Sequence, residues 1–256
     1  MSSRMRSSSS SSETEMAFQL SQKLAKADLL VFFDIEGTQF THKMIAFGMV
    51  CYPKKKDGVS FDMDGSFSYH SYVKTKDDIG PVVKEMTGIS KDILALEGKD
   101  IRKVVLEVDK LLRPYHPIFI SYGTSDILMM KRTLDRTDVT EENFFRYVMK
   151  NYLDFHQYVS RRICDENGHS LSISKLMDLY RLPKAGPDHD PLCDAKNLSM
   201  IYDAYVNRVE DDVSFFYQNL IHNREAKDVF RQVTELLIRN KIVKEEELLS
   251  LLRKHL

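Results

Sequence analysis

The sequence predicts a mixed α/β domain built on a central sheet, and three observations carry that reading. The run LLVFFDIEGT (29–38) opens with apolar residues rich in β-branched and aromatic types. It is too short for a helix and matches a strand buried on both faces. Two further strand patterns follow, separated by turn material, which reads as an antiparallel meander. Beyond residue 90, helical periodicities alternate with a fourth short apolar run, PIFISYG (117–123).

The elements follow in order. Residues 1–16 include six consecutive serines, Ser7 to Ser12, and are expected to be disordered. A short helix over Ala17 to Lys26 leads into the first strand. KMIAFGMVCYP (43–53) is the second strand, and KKKDG (54–58) supplies the turn. GSFSYHSYVKT (65–75), with Phe67, Tyr69 and Tyr72 set among polar residues, is the third. A loop carrying TGIS (87–90) precedes a helix over about 99–113. After the fourth strand, helices are expected from Ser125, over 141–163 and over 172–180. A proline-bearing loop, LPKAGPDHDP (182–191), gives way to a helix over 191–206. The domain therefore spans 17–208. Residues 209–256 are expected to form a helical extension, with one apolar stripe at Val229, Phe230, Val233, Leu236 and Leu237 and another at Leu248, Leu249, Leu251 and Leu252. Charges over 207–256 balance at nine basic and nine acidic, which argues against a nucleic-acid-binding tail. Packing back on the domain is the expected role of these helices, and binding a protein partner or self-associating through 211–256 is the alternative.

Composition excludes several classes. The chain has 256 residues and a net charge of −1, so no global basic field attracts nucleic acid. Its three cysteines are widely spaced without a C-x-x-C pattern, which argues against a disulfide framework or zinc site. No apolar run of membrane-spanning length and no signal peptide is present, so a soluble, cytoplasmic protein without membrane contact is expected. G-x-S-x-G, P-loop and cysteine-nucleophile motifs are absent, which makes a metal-independent hydrolase remote.

The acids are more specific. Side chains alternate along a strand, so Asp34 and Glu36 point to one side. Two adjacent carboxylates raise each other's pKa unless a cation lies between them. SYGTSD (121–126) ends the fourth strand, with Thr124 or Ser125 as helix cap and Asp126 in the first turn beside Met130 on the inward face. In DHDPLCDAKNL (188–198), Asp190 is the expected cap and Pro191 the first helical residue. Asp194 then shares a stripe with Leu198, Ile201 and Tyr205. An acid on an apolar stripe needs a partner. His189 stands five residues before it.

DIEGT, YGTSD and H-x-x-x-x-D-A, in this order and spacing, resemble the DEDDh branch of the DnaQ-like 3′–5′ exonucleases over about residues 28–206. Gly123 before the third acid and the DAKNL ending look most like the KapD and Eri-type subgroup. The chain departs from that subgroup in having no tryptophan, including one often found beside the third acid. The resemblance implies a ribonuclease-H-like mixed sheet, three strands antiparallel and the fourth parallel to the first, flanked by helices. It implies Asp34, Glu36, Asp126 and Asp194 as ligands of two Mg²⁺ or Mn²⁺ ions and His189 as general base. Thr38 matches the position whose backbone the family uses near the terminal 3′-hydroxyl. Phe40, Met44 and Tyr122 are candidates to stack on or wedge terminal bases.

The chemistry fits that implication. Two hard cations about 3.5–4 Å apart activate water and neutralise the leaving oxygen, and they prefer carboxylate oxygens. Single-stranded RNA or DNA 3′ ends are the implied partner. The competing function is a retired exonuclease fold that binds nucleic acid or serves as a scaffold.

Overall fold

A computed structural model of the chain describes residues 20–207, apart from residue 136 and residues 166–168. The serine run and the two C-terminal helices expected from sequence lie outside the described residues, as does the start of the first helix.

Helix α1 (20–24) precedes β1 (Leu29–Gly37), β2 (Met44–Pro53) and β3 (Phe67–Tyr72). Helices α2 (Pro81–Thr87), α3 (Lys91–Leu96) and α4 (Ile101–Leu112) lead to β4 (Pro117–Ser121). Then come α5 (Ser125–Thr133), α6 (Val139–Lys150), β5 (Tyr152–Asp154), α7 (His156–Arg162), α8 (Ile173–Leu179) and α9 (Pro191–Asn207). The strands form one mixed sheet in the order β3-β2-β1-β4-β5. β1–β2 and β2–β3 are antiparallel, while β1–β4 and β4–β5 are parallel. This is the ribonuclease-H-like arrangement the sequence implies. No described helix is long and apolar enough to cross a membrane.

Strand alternation divides the core. Leu30 and Phe32 pack with Val50, Tyr52, Ile118, Ile120 and the inner face of α9. Leu29, Val31, Phe33 and Ile35 pack with α4, α5 and α6 on the other side. Phe32 meets Tyr202 of α9 edge to face, with ring centroids 5.2 Å apart, a favoured aromatic geometry. Asp34 and Glu36 continue the Leu30–Phe32 series, so β1 aims both acids toward the α9 side of the sheet.

Three expectations need correction. The helix expected over 141–163 is two helices with a strand between them. Asn151 caps α6, and its carbonyl accepts from Phe119 N–H at 2.8 Å, while Phe155 N–H donates to Ser121 O at 3.0 Å. The edge of β4 needed hydrogen bonds, and this requirement overrides the helical pattern. The TGIS loop is the turn between two short helices: Gly88 caps α2 at φ 70°, and the Ser90 side chain caps α3 by accepting from Ile93 N–H. The third strand is shorter than 65–75, covering six residues.

Candidate active site

The site forms where β1 and β4 part. Their parallel register ends at Phe32 and Ile120, so the next main-chain donors on that edge of β1 lose their strand partner. Asp126, in the first turn of α5, fills this gap: its Oδ1 accepts from Ile35 N–H at 3.0 Å. The carboxylate is buried, at 6% exposure, and is held beside the strand that carries Asp34 and Glu36. Crevices at the carboxyl ends of strands, where the connection direction switches, are the usual ligand sites of open α/β sheets.

The turn before α5 is itself built. Gly123 adopts φ 97°, a left-handed conformation that favours glycine. Its carbonyl accepts from Tyr152 Oη at 2.6 Å and Ser121 Oγ at 2.9 Å, and its N–H donates to Asp154 Oδ1 at 3.0 Å. Tyr152 and Asp154 belong to β5, so the missed strand is also what braces Asp126.

From the opposite side, α9 begins directly over β2. Gly48 pairs with Asp34 across the β1–β2 ladder, and a Cβ on Gly48 would collide with the Pro191–Leu192 peptide. Glycine thus lets the helix start descend onto the sheet beside the acids. Asp190 Oδ1 caps α9 by accepting from Leu192 and Cys193 N–H groups, both at 2.9 Å. Asp194 reaches back, its Oδ2 accepting from His189 N–H at 3.0 Å. His189 holds φ 63°, and its Nδ1 stands 3.6 Å from Glu36 Oε1. Glu36, His189 and Asp194 each present a ligand atom within 4.8 Å of the others.

The electrostatics give the same convergence. Burial, then the charges of Asp126, Glu36, Asp194 and Asp190, hold the Asp34 carboxyl well above its ordinary range. Burial followed by Asp194, Asp126 and Asp190 pushes Glu36 up to about 8. Burial raises Asp126 to about 7, against the hydrogen bond from Ile35 N–H that favours its charged form. Asp194 is raised as well, first by burial. Asp34 and Glu36, whose ionised forms are disfavoured by burial and by the charges of Asp126 and Asp194, make with those two acids a donor set suited to hard divalent cations. The residues fit such ions.

The remaining predicted residues have different surroundings. Thr38 is buried in the β1–β2 turn, where its N–H donates to Lys43 O at 2.8 Å and its Oγ1 accepts from Lys43 N–H at 3.0 Å. Phe40 is exposed, at 66%. Tyr122 is half-buried and donates through its hydroxyl to Leu171 O. Met44 requires correction: at 3% exposure it lies in the core beside Phe47 and offers no face to a base. Asp190, Gly48, Asp154 and Asn197 escaped sequence reasoning as residues of the site. Of these, Asp190 left a signal as a cap, and Asn197 left one as a buried polar position on the apolar stripe of α9.

Neither a protein-family model nor a curated protein sequence matches the chain. Solved structures do. The nuclease domain of 3′hExo, a DEDDh family member bound to rAMP, matches with a TM-score of 0.55 at 15% identity, covering 72% of this chain and 94% of that one. The chain has the fold of DEDDh exonucleases. Cell-death related nuclease 4 matches with a TM-score of 0.52 at 21% identity, covering 71% of this chain and 64% of that one. E. coli exonuclease I in complex with a dT13 oligonucleotide gives 0.51 at 13% identity, covering 74% and 43%.

Proposed function

We propose that the chain is a metal-dependent 3′–5′ exonuclease that shortens single-stranded RNA or DNA and releases nucleoside 5′-monophosphates. One observation carries this reading: Glu36 of β1 and His189 and Asp194 at the start of α9 present ligand atoms within 4.8 Å of one another, and Asp126 of α5 is hydrogen-bonded to Ile35 N–H between the two acids of β1. The known structures of this fold add to it, since one holds rAMP and another an oligonucleotide.

The four carboxylates would hold two divalent cations, Mg²⁺ or Mn²⁺. Bound there, the cations neutralise charge at the scissile phosphate and ease the ionisation of an attacking water. Asp34, on the same face of β1 as Glu36, would be one of the ligands. Asp126 keeps its oxygens fixed through Ile35 N–H, so the strand's own backbone orients that ligand. His189 has Nδ1 turned toward Glu36, which leaves Nε2 to take the proton of the attacking water. Phe40, exposed two residues beyond Thr38, offers a surface on which an unpaired base stacks.

End-labelled single-stranded RNA and DNA of one sequence, incubated with Mg²⁺, Mn²⁺ or EDTA, test this directly. The expected result is stepwise shortening from the 3′ end, mononucleotide product, slowing by a blocked 3′-hydroxyl and no reaction in EDTA. Equal cutting of circular and linear strands would overturn the exonuclease assignment. Binding without degradation under any ion would assign the fold to a binding module.

A further inference from the structure

We infer that Asn197 is a positioning residue that joins the His189 loop to the candidate metal ligand Asp194; this rests on the reading of the site as a nuclease centre. Asn197 lies one turn beyond Asp194 on the inner face of α9 and is only 2% exposed. A buried amide on an apolar stripe is costly unless its polar atoms are satisfied. Both ends of this one are engaged. Oδ1 accepts from Ala185 N–H at 2.9 Å, and Nδ2 faces Asp194 Oδ1 at 3.5 Å.

The orientation of the amide is not arbitrary. The Ala185 main-chain N–H can only donate, so it must face the amide oxygen, which turns the NH₂ group toward Asp194. The two oxygens of Asp194 are therefore addressed separately: Oδ2 takes His189 N–H from the end of the loop, and Oδ1 faces the amide that anchors the loop at Ala185. The segment 185–189 is closed into a ring by two side chains of α9, with the Lys184–Asp188 ion pair at 2.8 Å across its outer side. The contact to Oδ1, at 3.5 Å, is longer than an ordinary hydrogen bond, so it biases that oxygen weakly and leaves its lone pairs to a cation. One buried side chain thereby sets both the place of the imidazole and the aim of a carboxylate. Groups behind metal ligands commonly have this role, and their loss costs about 10–100-fold in metal affinity or activity.

The test compares Asn197→Ala and Asn197→Asp with the wild type, alone and combined with His189→Ala. Asn197→Ala is expected to lower kcat at least about tenfold with little change in KM, and to weaken Mn²⁺ binding to the metal-free protein by a similar factor. In the His189→Ala background the same substitution should cost less in kcat, because no imidazole is left to position and only the aim of Asp194 remains to be lost. Asn197→Asp keeps the acceptor for Ala185 and so keeps the loop anchored, while replacing the donor that faces Asp194 with a repelling oxygen. It should lose activity like Asn197→Ala. Wild-type kcat in Asn197→Asp, or full additivity with His189→Ala, would reduce Asn197 to a structural tether and overturn the inference. If the wild-type protein degrades no nucleic acid, the proposed function fails, but the Mn²⁺ titration still decides: unchanged affinity in Asn197→Ala overturns the role of Asn197 by itself.

Discussion

The His189 N–H donates to Asp194 Oδ2 at 3.0 Å, so the loop histidine and the helix acid are joined through the main chain and not through the imidazole. This explains their five-residue spacing as a helix-start motif. Asp190 caps the first turn of α9 while Asp194 reaches back to the residue before the cap, a variant of the reciprocal capping box. The motif leaves the imidazole free to turn toward Glu36.

Removing the imidazole should therefore leave the helix start and all four carboxylates intact. His189→Ala is expected to bind Mn²⁺ as the wild type does while turnover falls by roughly 10²- to 10⁴-fold, the usual worth of a general acid or base. Because His189 holds φ 63°, His189→Asn is the better-matched replacement, since asparagine tolerates that region. Loss of Mn²⁺ binding in both variants would make His189 a ligand. A near-wild-type rate at neutral pH would remove it from the chemistry.

The raised carboxyl groups make stability depend on pH and metal together. Glu36 moves from 4.5 to about 8 on folding, and Asp126 from 3.8 to about 7. The folded chain thus binds more protons than the unfolded chain between the unfolded and folded pKa values, and unfolding free energy falls as pH rises through that window. Under the proposed function, divalent cations would bind the ionised set and remove its repulsion. The difference in Tm between Mg²⁺ and EDTA should be small near about pH 5 and grow toward about pH 8, with protons released on binding. A difference that does not change with pH would contradict the arrangement of acids described here.

What was legible in the sequence was local. β1 and the shared side of Asp34 and Glu36 follow from strand periodicity, and the start of α9 follows from Asp190 and Pro191. The elements that escaped depend on distant partners. β5 is three residues long and exists because Phe119 and Ser121 on β4 lack partners without it. Helix α2 is seven residues long and buries none of them fully, so Val82, Val83 and Met86 are too short a pattern to mark a helix. Met44 sits where the β1–β2 register shifts between Glu36 and Gly37, and the pattern of alternating residues does not reveal that irregularity.

Asp126 separates structure from charge. Asp126→Asn keeps an oxygen for Ile35 N–H and removes one negative charge from a buried group of acids. Turnover should fall by at least about 10²-fold, in line with the loss of a metal ligand or the group that orients it. Tm in EDTA should stay level or rise, because a carboxylate whose ionised form is disfavoured has gone. A large fall in Tm would show that the charge itself, and not the acceptor oxygen, holds α5 to β1.

Gly48 offers the test of how closely α9 must approach. It faces Asp34 across the β1–β2 ladder, and any Cβ there meets the Pro191–Leu192 peptide, which is main chain and cannot rotate away as a side chain would. In Gly48→Ala the helix start has to lift from the sheet, carrying Asp190, Asp194 and His189 with it, while Asp34, Glu36 and Asp126 stay on the other side of the crevice. Overpacking of this kind costs about 1–3 kcal/mol, which thermal or urea unfolding would register as a modest loss. The damage to chemistry should be greater, since a displacement of about 1 Å between reacting groups can cost about 100-fold in rate. The variant should therefore fold, bind Mn²⁺ more weakly and turn over at a small fraction of the wild-type rate. Full activity in a folded Gly48→Ala protein would mean that the cation set does not need Asp194 at its present distance from β1, and the four-carboxylate centre would have to be redrawn around β1 and α5 alone.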